Sequence, residues 1–437
     1  MNAPSGNQKP SFWDFLLSLF RLLKPSSGIV TPAKPVIPPD NNTEPAQPVI
    51  PSDNTTKPVQ TVILPDNTTE PAQPVIPPGN TTEPVQPVIP PDNTTEPVQP
   101  VIPPDNTTEL VQPVIPPDNT TEPVQLVIPP DNTTEPVRIE TSRVLLVIYN
   151  PVMDAASGTK IIQSMNWNYP DDLSNTFIQD VLEVSGGLAC YKIVDRVELN
   201  EFPALTDGFR YDAQSYLAVI NKTQPAHQPE YANYQAILTG LNVITRITAR
   251  EIDEVWLFGF PQAGFYESTM CGAGAFWCNS QPQAWSFGCS RRFVVMGFSS
   301  ERGVGEMLHS FGHRVESIMT QTFSKTQGLG NLYAQFALYD KVAPGKAQVG
   351  DVHFPPNADI DYDYNNPRKV ASNCYDWYNF PVFKNDIREV NADEWGNGDM
   401  HILHKWWLNH LPKVAGRTSG VVNNWWQYTM DPNLVNL

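Results

Sequence analysis

From Arg143 onward the chain carries apolar runs of strand length separated by helical periodicity. Arg143–Tyr149 is a continuous apolar run of the kind found in a strand covered on both faces. Residues 171–184 carry helical spacing and stop at Gly186-Gly187, and a second strand follows over 189–194. A longer helix is expected over Tyr231–Arg250, then strands over Glu254–Gly259 and Arg292–Phe298. Such alternation predicts an α/β domain with a mainly parallel sheet flanked by helices. Ligands in these sheets gather beyond the carboxyl ends of the strands, which favours Asn150, the 260–267 loop and the 299–306 turn as neighbours of a site. The last hundred residues lose the alternation and become dense in aromatic and polar residues, so an irregular region wrapped over the sheet is expected there. The tryptophan pairs Trp406-Trp407 and Trp425-Trp426 read as packing residues, with sugar stacking as the functional alternative.

Before residue 138 the pattern is different. Residues 35–137 repeat a thirteen-residue unit close to Asp-Asn-Thr-Thr-Glu-Pro-Val-Gln-Pro-Val-Ile-Pro-Pro, with its asparagine recurring from Asn41 to Asn132. Several prolines per unit remove amide donors and fix φ near the polyproline II value, so the tract is expected to be disordered and extended, a stalk or linker. Each unit also carries an Asn-x-Thr sequon, a glycan acceptor only in a secretory setting. Ahead of it, within residues 1–34, the segment 11–23 has a narrow polar stripe of Asp14, Ser18 and Arg21 on an otherwise apolar face. It is too short to span a bilayer and suits anchoring to a membrane surface or docking on a protein partner. The chain therefore reads as an anchor or docking segment (1–34), a stalk (35–137) and a functional domain (138–437), with membrane association or an extracellular, cell-surface setting favoured.

Charge adds an exclusion. The net charge is −18, of which residues 40–137 supply −13 and the functional domain −8, offset by +3 at the amino terminus. No basic cluster is present to meet phosphates, and nucleic acid is not an expected partner. The five cysteines include no C-x-x-C pair; Cys271 and Cys278 share a loop and could bridge in an oxidising compartment.

The candidate chemistry lies in 301–319. On a helix, Glu306, His309, His313 and Glu316 fall at i, i+3, i+7 and i+10 and share a face. Histidines at i and i+4 can hold one metal ion, with a neighbouring carboxylate as base toward bound water. Ser310 stands where the H-E-x-x-H pattern has its glutamate. The third ligand is sought among His353, Asp363, His401 and His404; Asp399 suits the cap of the helix carrying the last two. The aspartates of 351–363 do not match a calcium loop, since Tyr364 and Val370 replace its glycine and glutamate. The expected site thus has His309, His313 and His353 as ligands of a divalent metal ion, zinc by donor type. Glu306 or Glu316 would be the base, and Arg314 would steady an anionic or carbonyl group. The expected function is a tethered metal-dependent hydrolase acting on peptide or glycan. The alternatives are a glycan- or protein-binding module with a structural histidine row, and a metal-free glycosidase using Glu267 and Glu306.

Overall fold

The computed structural model describes residues 136–436, and the repeat tract and the 11–23 segment lie outside them. Five strands form a mixed, mostly parallel sheet: β1 (Glu140–Tyr149), β2 (Ala189–Leu199), β3 (Glu254–Gly259), β4 (Ser268–Cys271) and β5 (Phe293–Ser299). Their order is β2-β1-β3-β5-β4, with only β4 running antiparallel, against β5. β1 and β3 are apolar because neighbouring strands and covering side chains bury both of their faces.

Four helices cover one side: α1 (Pro170–Val184), α2 (Val304–Thr322), α3 (Met400–Asn409) and the short α4 (Trp426–Met430). α1, α2 and α4 meet the sheet, and α3 lies across α1 and α2. An aromatic layer joins helices to strands, with Phe177 of α1 edge-on to Trp256 of β3 and to Phe311 of α2. The carboxyl-terminal region is held by short turns, small hairpins and buried tryptophans, Trp395, Trp407, Trp425 and Trp426 among them. Among the described residues no helix is long and apolar enough to cross a membrane.

Several elements differ from their sequence-based expectation. The helix expected over Tyr231–Arg250 is two, Tyr234–Gly240 and Val243–Thr248, because Asn242 takes a left-handed φ of 54° that ends one turn before the next begins. β2 runs five residues beyond Val194. The edge strand β4 carries no long apolar run of its own, and its pairing with β5 defines it. All five cysteines are free; Cys271 and Cys278 are both buried.

α2 is the central element. Gly312 is required on it: a Cβ there would stand 2.5 Å from Val352 Cγ2, so the loop before His353 could not approach. On its sheet side Arg314, fully buried, forks onto Glu254 with two bonds of 2.9 Å and donates to the Thr429 carbonyl. Glu254 also accepts from Trp256 Nε1 and Ser142 Oγ, so the pair ties α2 to β1, β3 and α4. Removing one partner would leave the other buried and unpaired. Arg314→Met should therefore cost about 3–5 kcal/mol in urea unfolding, and the double variant with Glu254→Met should recover much of it. A single variant as stable as the wild type would show that the pair does not carry this load.

Candidate metal centre

Three ring nitrogens converge beside α2, two of them carried by the helix itself. His313 Nε2 lies 3.2 Å from His309 Nε2 and 3.1 Å from His353 Nε2. His309 and His313 meet because they are one turn apart on α2. His353 arrives from a loop whose Val352 is clamped on both sides: its amide donates to Glu316 Oε1 at 3.0 Å, and its carbonyl accepts from Tyr364 Oη at 3.0 Å.

The outer ring nitrogens decide what the inner ones present. His313 Nδ1 is 2.7 Å from Glu316 Oε2, and a carboxylate only accepts, so a neutral His313 carries its proton on Nδ1 and presents Nε2 as a lone pair. His404 has two carbonyls in reach, Met400 O at 2.8 Å and Val352 O at 3.4 Å. As a neutral ring it carries one proton, and the shorter contact takes it. His404 Nε2 then accepts from His309 Nδ1 at 3.3 Å, which leaves His309 Nε2 a lone pair as well. Asp361 Oδ1 approaches His353 Nδ1 to 2.8 Å but stands off the ring N–H direction, an ion-pair distance without a well-formed hydrogen bond. It still favours the proton on that side. Three lone pairs facing one point repel one another unless a cation stands between them. Outer nitrogens directed to carboxylates, a histidine and a carbonyl are the arrangement that orients metal-binding imidazoles.

His309, His313 and His353 can therefore hold a metal ion, and they are the group among the described residues whose donor atoms all lie within 4.8 Å of one another. Two of the three edges, 3.2 Å and 3.1 Å from His313, are close to the roughly 3.3 Å edge of a tetrahedron with metal–nitrogen distances of about 2.0–2.1 Å, and the third lies within 4.8 Å. Burial, reinforced by the neighbouring rings, pushes His309 down to about 2, and burial pushes His404 down to about 4. His353 is also lowered by burial and by His313. Burial opposes the charge on His313 too, but the Glu316 carboxylate outweighs it and raises this one ring, making it the proton carrier of the cluster.

The residues proposed from sequence occupy different places. Glu306 turns back on its own helix and accepts from the Gly303 amide at 3.1 Å, a capping contact on the cleft wall. Glu316 is buried, with one oxygen on His313 and the other on Val352, so it positions ligands and has no lone oxygen for a water. Arg314 faces the sheet in its pair with Glu254 and lines no part of the cleft. His401 lies on α3 against Asp180 at 2.6 Å. Asp363 accepts from the Asp359 amide and Asn366 within its own loop. Asp399 caps α3 by accepting from the Ile402 amide at 2.9 Å.

Glu267 is the carboxylate brought to the open side. Its oxygens lie 4.0 Å from His309 Nε2 and 3.9 Å from His313 Nε2, and Asn279 holds one of them. These distances exceed the tetrahedral edge, so the fourth corner is left for a small molecule that Glu267 can reach. Its spacing from the histidines carries no periodicity; the only sequence signal was its place in the loop after β3. That loop and the 299–306 turn line a cleft of about 400 Å³ containing Gln262, Glu267, Arg302 and His309. Gln262 also borders a shallower depression of about 610 Å³ along 219–226. Asn150 instead bonds to Glu198 and to the Ile162 amide, outside the cleft.

No protein-family model matches the chain, and no similar curated protein is found.

After equilibration with zinc and dialysis, elemental analysis of the full chain should give close to one ion per chain. His309→Ala, His313→Ala and His353→Ala should each lose it, His401→Ala should keep it, and Glu316→Gln should weaken affinity about 10–100-fold. Retention in the three alanine variants would dismiss this centre. The metal-free protein should also lose stability as pH falls from about 6.5 to about 4. Over that window the unfolded chain takes up protons on His309, His353, His404 and His410 that the folded state resists; His313, raised, works in the opposite sense, one ring against four. A urea midpoint unchanged between pH 7 and pH 5 would contradict these shifts.

Proposed function

We propose that the protein is a metal-dependent hydrolase in which His309, His313 and His353 hold a divalent ion, zinc by its all-nitrogen donor set. The observation that carries this reading is the convergence of three lone-pair nitrogens with a fourth direction open toward the cleft and a carboxylate beside it. Structural zinc sites close all four positions with protein ligands, whereas catalytic sites keep one for water or substrate. A zinc ion there supplies a Lewis acid and lowers the pKa of bound water toward neutrality. Glu267 is the base of this proposal in place of Glu306 and Glu316, because it alone of the three faces the open corner. Glu316 keeps His313 in the tautomer that presents Nε2, and His404 does the same for His309.

Peptide and glycan both remain substrates of this reading. The repeats of 35–137 would act as a stalk and the 11–23 segment as an anchor to a membrane surface or a protein partner, roles that rest on sequence pattern alone. The binding-module alternative draws less support: of the paired tryptophans it would use for stacking on a sugar, Trp407, Trp425 and Trp426 are buried in the core and Trp406 alone is partly open.

The discriminating variant is Glu267→Gln. Hydrolysis of a mixed peptide and oligosaccharide panel by the zinc-loaded full chain should fall about 10²–10⁴-fold while zinc content stays unchanged. A zinc-replete wild type inert on the whole panel, or full activity in Glu267→Gln, would overturn the reading.

A further inference from the structure

One aromatic residue stands over this centre without a structural task for its polar end. Tyr362 packs against two of the three ligand rings, tilted over His353 at a centroid distance of 4.2 Å and stacked on His309 at 5.8 Å. Its backbone is left-handed, with φ of 58°, and it is the only aromatic in that conformation among the described residues. A bulky side chain there is strained and persists only when its surroundings hold it. The loop supplies that hold. On one side Asp363 ties Asp359 to Asn366, and on the other Tyr364 bonds to Val352 and accepts from Trp395, so the tip carrying Asp361 and Tyr362 is carried over the histidines. Half of the residue stays exposed, and its hydroxyl has no hydrogen-bond partner among the described residues. Its ring lies against His309, which lines the cleft together with Glu267, so the tyrosine borders the centre next to the ligand that opens on the cleft.

We propose that Tyr362 is a catalytic residue and that the bond cleaved is an acyl bond, a peptide amide rather than a glycosidic linkage. This rests on the hydrolase reading above. In the first step the oxygen of water bonds to the carbonyl carbon, its proton passes to Glu267, and the carbonyl π pair moves onto oxygen. The Tyr362 hydroxyl donates a hydrogen bond to that oxyanion and transfers no proton. The carbon–nitrogen bond then breaks as the carbonyl re-forms, and the leaving amine takes the proton from Glu267. A preorganised donor of this kind acts where charge develops, at no cost of reorganisation. Glycosidic cleavage would instead need a second free carboxylate across the bond. Glu306, the other acid of the pair expected from sequence, gives one oxygen to the Gly303 amide and makes no ion pair with the histidines among the described residues, whereas Glu267 stands beside two of them.

The test uses the zinc-loaded full chain and its Tyr362→Phe variant, which keeps the stacked ring and removes only the hydroxyl. Acetohydroxamate is the probe, since it presents an anionic oxygen at a metal. With equal zinc content in both proteins, calorimetry should show zinc-dependent binding weakened about 10–100-fold in the variant, the loss of one hydrogen bond to a charged acceptor. Equal affinities would overturn the role of Tyr362 and leave the metal centre standing. Wild type that takes up zinc but binds no acetohydroxamate would overturn the role as well, and failure to take up zinc would overturn the hydrolase reading with it. A tyrosinate charge-transfer band in the copper-substituted wild type, absent from Tyr362→Phe, would make Tyr362 a ligand and not a donor, and would also overturn the proposal.

Discussion

Everything at the candidate centre depends on α2 being buried on nearly every side while carrying polar residues on two of them. Fourteen of its nineteen residues are buried, among them His309, Ser310, Arg314, Glu316 and Ser317. A polar group in such a place must be paired, because each one left alone costs its desolvation. The sheet side solves this with the Arg314–Glu254 pair, and the opposite side with Glu316 and the histidines. These two solutions fix the rotation of the helix. Turning it by one residue would strand a guanidinium in the aromatic layer and carry the imidazoles away from the 351–364 loop.

The same constraint separates a metal centre from an ordinary buried network. A closed network would leave every ring nitrogen with a donor or an acceptor of its own. Here the outer nitrogens of His313 and His309 are satisfied by Glu316 and His404, that of His353 has the Asp361 carboxylate beside it, and the inner ones face each other. Burial keeps His309 and His353 neutral, which a metal requires of its ligands, and leaves His313 as the ring where proton and metal compete. Gly312 contributes by its lack of a side chain, since the approach of Val352 that delivers His353 uses the space a methyl group would fill. Asn279 adds a link back to the helix: its amide donates to Ser317 Oγ, and its side chain holds Glu267.

Local pattern made much of this legible. Continuous apolar runs identified β1, β3 and β5, because strands covered on both faces need no alternation. Helical spacing identified α1 and the histidine row of α2, since i, i+4 neighbours meet whatever surrounds them. The break at Asn242 was hidden, because the apolar spacing continues through it and only a backbone dihedral interrupts the helix. β4 was hidden because four residues carry too little pattern to stand apart from a loop.

The amino-acid sequence by itself determined the class of sheet, the proline-rich spacing of the first third and the pair His309–His313, all of which rest on residues a few positions apart. Only the tertiary structure decided that His353 and not His401 or Asp363 completes the group, that Glu267 is the carboxylate standing beside the histidines on their open side, and that Arg314 belongs to the core. Those outcomes depend on contacts between residues forty or more positions apart. Periodicity carries no information about such contacts; packing and the pairing of buried charges settle them.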